Sequence, residues 1–344
     1  MSARPLLDLL GARWRVGVAA AAVAWDEVAG FALGDGTLAL VPPSWEGGPV
    51  LRPRKDGGVE LVPLTVPAPP AARVPAHRGA CLAVVADPDG GFLSGGSDGR
   101  VVRVMPDAEV RALGHLDIAV SLVAAGPGGW RAAAVGRRVH RFGADASRIE
   151  AGGSVASLAV EPTGARLAIG HAGGISLWAG GGLPRVLPAP GTLGVVWNKE
   201  RAGSFTGDGT VHAWQPPETI ALGETVSAIA ASGDGFIIAV GGRVLLWRPG
   251  EEPVPCGVAN QQTVTRIASH PRRVLIAVGY ANGAVLLCQP DSSSLLFVRA
   301  AGEGAVTALG FSPGGDHLAI GTEGGEIAVL ATPDHLFRDA TRAA

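Results

Sequence analysis

The chain has 344 residues, 47% hydrophobic and 17% charged, with a formal net charge of −2. That apolar share can fill a buried core and excludes general disorder. The near-neutral balance, with Lys55 and Lys199 the sole lysines and the arginines scattered, excludes the clustered cationic face that replaces counterions on nucleic acid.

At the N-terminal end, Arg13 and Arg15 precede an apolar run at 16–24 that has the outline of a secretory leader. Ala24 and Trp25, however, open the first of a series of repeated units, so cleavage there would remove a strand. A cytoplasmic location is expected. No stretch of 18 uninterrupted apolar residues occurs, which argues against a membrane-spanning helix. Cys81, Cys256 and Cys288 are widely spaced and form no CxxC pair, as buried thiols in a reducing compartment would be.

Eight times along the chain an apolar strand runs into a Gly-containing tight turn and a second apolar strand: at 33–40, 95–104, 135–142, 170–178, 206–214, 240–247, 279–287 and 321–330. Asp-Gly, Asn-Gly and Gly-Gly admit the positive φ that two-residue hairpins require, so the two strands must be antiparallel neighbours. The second strand alternates, as in Thr-Val-His-Ala-Trp at 210–214. Upstream lies another strand and turn, seen at 82–93, 155–169 and 306–320, where Pro presets φ and Gly reverses the chain. A fourth strand is expected between units, for instance at 185–187 and 295–298.

Four strands per roughly 40–45 residues is the spacing of a β-propeller. The expected architecture is all-β: one closed propeller of four-stranded blades, eight by repeat count in preference to seven. It forms a single domain over 1–344, with repeat units at about 15–332 and a short polar tail at 333–344. An open ring would expose two strand edges. The tail is polar and Pro-interrupted, so the segment at 14–18 is expected to complete the last blade.

The connection at 41–76 is irregular, with nine prolines and a polar stretch at 52–58. The segment at 59–62 is expected to be the outer strand of the first unit. Long loops on rigid scaffolds often carry function, and Trp and Arg are favoured interface anchors. Trp45, Arg52, Arg54 and Lys55 are therefore candidate partner-binding residues.

Signals for chemistry are sparse. Gly95 to Gly99 fits the G-x-S-x-G pattern around Ser97, but that motif needs a strand-to-helix elbow, whereas Ser97 belongs to a strand-to-strand turn. The eight histidines are dispersed without HExxH spacing, so no metal or other cofactor is expected. The positions expected near a central channel, Ala83, Ala119, Ala156, Ala228 and Ala308, offer nothing for acid–base work.

The repeats resemble the WD-repeat propeller family. The likeness is carried by Phe311-Ser-Pro-Gly314, by the turns at 97–99 and 206–209, by the strand-end tryptophans Trp178, Trp214 and Trp247, and by His77 and Gly114-His115. The repeats are degenerate: those tryptophans are followed by Ala179, Gln215 and Arg248, where the family has Asp. The family's His–Ser/Thr–Asp–Trp set is complete in no unit. Unit two offers His77, Ser94 and Asp98 but has Val104 in place of Trp, and Asp208 marks the corresponding turn of unit five. The resemblance implies structural roles for these residues. It also implies a non-enzymatic scaffold for protein–protein interactions, with other proteins as partners and no nucleic acid or membrane, acting as a monomer or a subunit of a larger complex. The alternative is a propeller hydrolase or small-ligand-binding protein that uses the central channel mouth.

Overall fold

The computed structural model describes residues 4–333 except 47, 57, 63–65, 200, 258, 291–294 and 303. It contains eight four-stranded antiparallel sheets and one separate two-stranded hairpin. The first strands of the eight sheets are Ala20–Trp25, Cys81–Ala86, Leu122–Gly126, Val155–Val160, Thr192–Asn198, Val226–Ser232, Val264–Ser269 and Val306–Phe311. Each packs on the first strand of the next sheet, and the eighth packs on the first, which closes a ring around an axis. The chain is an eight-bladed propeller, as the repeat count required; the fourth strands Arg185–Leu187 and Leu295–Arg299 also stand where expected.

Burial follows position in the blade. Second strands such as Phe92–Gly96 and Ile276–Tyr280 are buried at every residue, because neighbouring blades cover both faces. They therefore read as continuous apolar runs rather than alternating ones. Large rings fill the space between blades, and small residues make room for them: a Cβ on Gly203 would lie 2.4 Å from the ring of Phe236 in the next blade. First strands are only half-buried over much of their length, as lining a channel requires.

The hairpin turns need their glycines. Gly36 has φ +86°, and a Cβ there would lie 2.0 Å from the carbonyl oxygen of Gly79. The preceding aspartate fixes the turn: Asp35 Oδ1 accepts from the backbone N–H (3.0 Å) and hydroxyl (2.7 Å) of Thr37.

Seven of the first strands share a bulge near their start. The register breaks between Ala20 and Ala22, Cys81 and Ala83, Val155 and Ser157, Thr192 and Gly194, Val226 and Ala228, Val264 and Arg266, and Val306 and Ala308. A bulge bends a strand and increases its twist, which suits eight strands converging on one axis. It also frees a side chain to bridge blades: Thr265 Oγ1 donates to Val306 O (2.7 Å), and Thr307 Oγ1 does the same to Ala20 O across the junction between the last blade and the first.

That junction is closed by the N-terminal strand, but further upstream than expected. Gly11–Arg15 pairs with Glu326–Ala331, from Gly11 opposite Leu330 to Arg15 opposite Glu326. The expected 14–18 is partly turn: Gly17 has φ +76°, and the chain swings there into blade 1. The alternation of Ala12, Trp14 and Val16 toward the core continues past the last paired residue, so the pattern alone could not mark the end. Before the strand, a helical turn at Leu7–Leu10 buries Leu7 and Leu10 among residues of blades 7 and 8.

The first blade corrects a second expectation. Its outer strand is Ala72–Pro75, paired with Thr37–Val41. Val59–Val62 instead pairs with Val50–Pro53 in the separate hairpin. The outer position must present an apolar residue to the blade core, and Val74 does so, whereas Val59 to Leu61 are exposed. Most of the C-terminal tail, from residue 334, lies outside the described residues.

Candidate functional site

The network anticipated in blade 2 is assembled. His77, just before the first strand, reaches Asp98 Oδ1 through Nδ1 (3.0 Å) and Ser94 Oγ through Nε2 (2.8 Å). Burial pushes the His77 pKa down and outweighs the pull of Asp98. The ring is thus neutral, with Nδ1–H donating to the carboxylate and Nε2 accepting from the Ser94 hydroxyl. Burial alone would raise Asp98, but the N–H groups of Arg78 and Arg100 together with His77 hold it below its ordinary value. His115 Nε2 meets Asp98 O at 3.1 Å and braces the same turn. Ser97 lies in that turn, its hydroxyl accepting from Ala80 N–H at 2.8 Å, and no helix follows to make a nucleophile elbow.

Other blades carry fragments of this set. In blade 5 no histidine joins the network, but Trp214 Nε1 donates to Ser204 Oγ (3.3 Å), and Asp208 Oδ1 accepts from the Thr206 hydroxyl (2.5 Å) and Thr210 N–H (3.1 Å). Blade 4 substitutes His171 Nε2 to Ser176 Oγ at 2.9 Å. Blade 2 thus keeps the His–Asp end of the network and blade 5 the Ser–Trp end. These groups are hydrogen-bonded to one another and to backbone N–H groups of the adjoining turns.

A second buried polar cluster was not evident from the sequence. Asp87, with a fully buried side chain, accepts from Arg131 Nε (2.5 Å) and Nη2 (2.7 Å), while Arg103 Nη2 lies 3.0 Å away. Asp89 adds a more exposed contact to Arg131 at 2.5 Å. This ionic staple ties blade 2 to blade 3. Hydrogen bonds from the guanidinium to Asp87 raise the Arg131 pKa further.

The four candidates in the insertion separate into two places. Trp45 is half-buried at the base, edge-on to Trp14 of the closing strand (centroids 6.4 Å apart), with its N–H donating to Val66 O at 3.1 Å. Arg52, Arg54 and Lys55 are exposed together at the far end of the hairpin. Around them the hairpin leaves Val50, Val59 and Leu61 exposed. Leu51 points the other way, onto the core of blades 7 and 8. A cleft of about 200 Å³ runs between the insertion and blade 8, lined by Trp45, Pro49, Val50, His317 and Val329 among others.

Of the alanines expected at the channel, Ala83, Ala228 and Ala308 follow the bulge, Ala156 occupies it, and Ala119 lies in a loop before its strand. Sequence reasoning missed Arg266, the one charged residue within the eight first strands. Among the described residues no group of three or more His, Cys, Asp or Glu could hold a metal ion, and no helix is long and apolar enough to cross a membrane.

Residues 69–103, which hold most of blade 2 and its His77–Ser94–Asp98 network, match the family model of the WD domain, G-beta repeat. No curated protein matches the chain. Among solved structures it is similar to the computationally designed Ika8 protein, with a TM-score of 0.68 and 16% identity over 94% of this chain and 99% of that one. It is also similar to the WD40 repeats of RRP9, with a TM-score of 0.58 and 16% identity over 74% of this chain and 95% of that one. The chain is thus an eight-bladed β-propeller that carries a WD domain, G-beta repeat match in its second blade and repeats the same four-stranded unit around the ring.

Proposed function

We propose that this propeller is a non-enzymatic scaffold that binds other proteins, with the insertion hairpin as its docking element. The observation that carries this reading is the surface of that hairpin. A rigid closed ring holds out a strand pair on which Arg52, Arg54 and Lys55 sit beside exposed Val50, Val59 and Leu61. Cationic and apolar groups side by side suit a protein partner with acidic residues around an apolar patch. Trp45 acts from below, seating the hairpin against Trp14. The eight first strands contain no Asp, Glu, Lys or His, so they offer the channel no acid–base pair.

The test is affinity capture with the full chain and its Arg54→Glu and Trp45→Ala variants. Partners lost from Arg54→Glu and weakened by Trp45→Ala support the reading. Capture of no protein, or recovery indifferent to both changes, contradicts it.

A further inference from the structure

Arg266 is placed where the fold otherwise admits only small or uncharged side chains. Its counterparts directly after the shared bulge are Ala22, Ala83, Ser157, Gly194, Ala228 and Ala308. The site lies close to one mouth of the channel, since the preceding Val264 bonds through its N–H to Gly241 in the hairpin turn of blade 6.

The guanidinium is held but not neutralised. Nε donates to Thr307 O and Nη1 to Thr265 O, both at 2.8 Å, so its two protein partners are backbone carbonyls. Among the described residues no carboxylate forms an ion pair with it, and Nη2 has no protein partner. Arg266 is open to water, yet the protein around it removes enough solvent to pull its pKa down, with no nearby charge opposing this. A cation fixed in such surroundings, with donors left over, attracts an anion more strongly than it would on an open surface.

We infer that Arg266 makes the central channel a binding site for a carboxylate group. The orientation of the guanidinium is already set by Thr265 and Thr307, so little conformational entropy is lost when a ligand arrives. The remaining N–H groups of Nη1 and Nη2 form the fork that a carboxylate accepts through both oxygens. One guanidinium among uncharged neighbours balances one negative charge, whereas a phosphate dianion would leave a second charge uncompensated in the lumen. The carboxylate can belong to a free small acid or to an acidic side chain inserted through the mouth. The site does not depend on the scaffold reading, because the insertion hairpin contributes nothing to it.

The experiment is phenylglyoxal labelling of the full-length wild-type protein, with modification of the Arg266 peptide followed by mass spectrometry. It is run with sodium glutarate, with an end-blocked glutamate-rich peptide, and with sodium chloride at matched ionic strength. Labelling of Arg266 slowed by glutarate or by the peptide, but not by chloride, is the expected result. Protection at lower concentration by the peptide assigns the carboxylate to an inserted side chain, and the reverse order assigns it to a free acid. Calorimetric titration of Arg266→Lys and Arg266→Ala with the better probe should show affinity reduced about tenfold or more, because the fork is lost in both. Unchanged Arg266 labelling in the presence of both probes overturns the inference. This wild-type readout decides even if a variant fails to fold, and it is blind to partner capture by the hairpin.

Discussion

The indole N–H of Trp25 donates to the carbonyl oxygen of Gly310 at 2.8 Å, joining residues 285 positions apart. Trp25 ends the first strand of blade 1 and Gly310 belongs to the first strand of blade 8. Thr307 makes a second link to the same strand at Ala20. The same device recurs inside the ring, where Trp197 Nε1 donates to Ala159 O at 2.9 Å between blades 4 and 5. The junction between the chain's two ends is therefore built like an ordinary blade interface, with the N-terminal strand as its outer member.

Removing residues 1–16 should consequently cost far more than a terminal trimming does. The deletion strips Leu7, Leu10 and Trp14 from the core and leaves Glu326–Ala331 as an open edge. Each large apolar side chain contributes about 1.5–3 kcal/mol when fully buried, so a loss of at least about 4 kcal/mol is expected. Chemical denaturation of the two proteins measures it.

The staple between blades 2 and 3 separates a buried charge from an exposed one bound to the same arginine. Asp87→Ala leaves Arg131 and Arg103 without their buried partner and should destabilise by about 3 kcal/mol or more. Asp89→Ala removes a carboxylate that is 63% exposed and should change stability by less than about 1 kcal/mol. Equal effects in denaturation midpoints would show that the two aspartates are not distinguished by burial.

Stability should fall as the solution is acidified below neutrality. His77, His140, His171, His212 and His317 all have pKa values lowered by burial from the ordinary 6.5. The unfolded chain then takes up protons as the pH drops through 6.5 while the folded chain does not. The contribution of neutral histidines is thus complete above pH 6.5 and is lost as pH falls toward the folded-state values. Melting temperatures recorded from pH 7.5 to 5.0 should decline, and less steeply for His77→Asn. A flat profile over that range would contradict the buried neutral rings.

Trp14 and Trp45 offer a direct energetic reading of how the insertion is seated. A double-mutant cycle with Trp14→Ala and Trp45→Ala should give a coupling of roughly 0.5–1.5 kcal/mol, the range for an edge-to-face aromatic pair. Arg54→Glu, on the exposed hairpin, should leave the melting temperature unchanged. Zero coupling would mean that Trp45 does not rest on the closing strand.

Much of the architecture was legible because its determinants are local. Gly at the turns and the alternation after them identified eight hairpins, and both depend on neighbours in the chain. The errors arose where two segments satisfied one local pattern. Val59–Val62 is the expected outer strand, but Ala72–Pro75 can also run extended, and pairing with Thr37–Val41 is decided by which one can bury an apolar residue in the blade, as Val74 does. The end of the closing strand was obscured by alternation that continues through Val16 into the turn at Gly17. The staple was invisible for a different reason: Asp87 and Arg131 lie 44 residues apart and meet only through blade packing, which leaves no periodic trace. Arg266 could have been found once the first strands were placed, since it is their sole charged residue.

The closed ring is tested most directly by a covalent link across its seam. Ala12 of the closing strand lies opposite Val329 of blade 8, and both are buried. The double variant Ala12→Cys/Val329→Cys, oxidised and digested, should yield the peptide joining positions 12 and 329. Ala12→Cys/Ile327→Cys, displaced by two residues along the strand, should not link. Failure of the 12–329 bridge to form in folded protein, or equal bridging in both variants, would contradict closure of the eighth blade by the N-terminal strand.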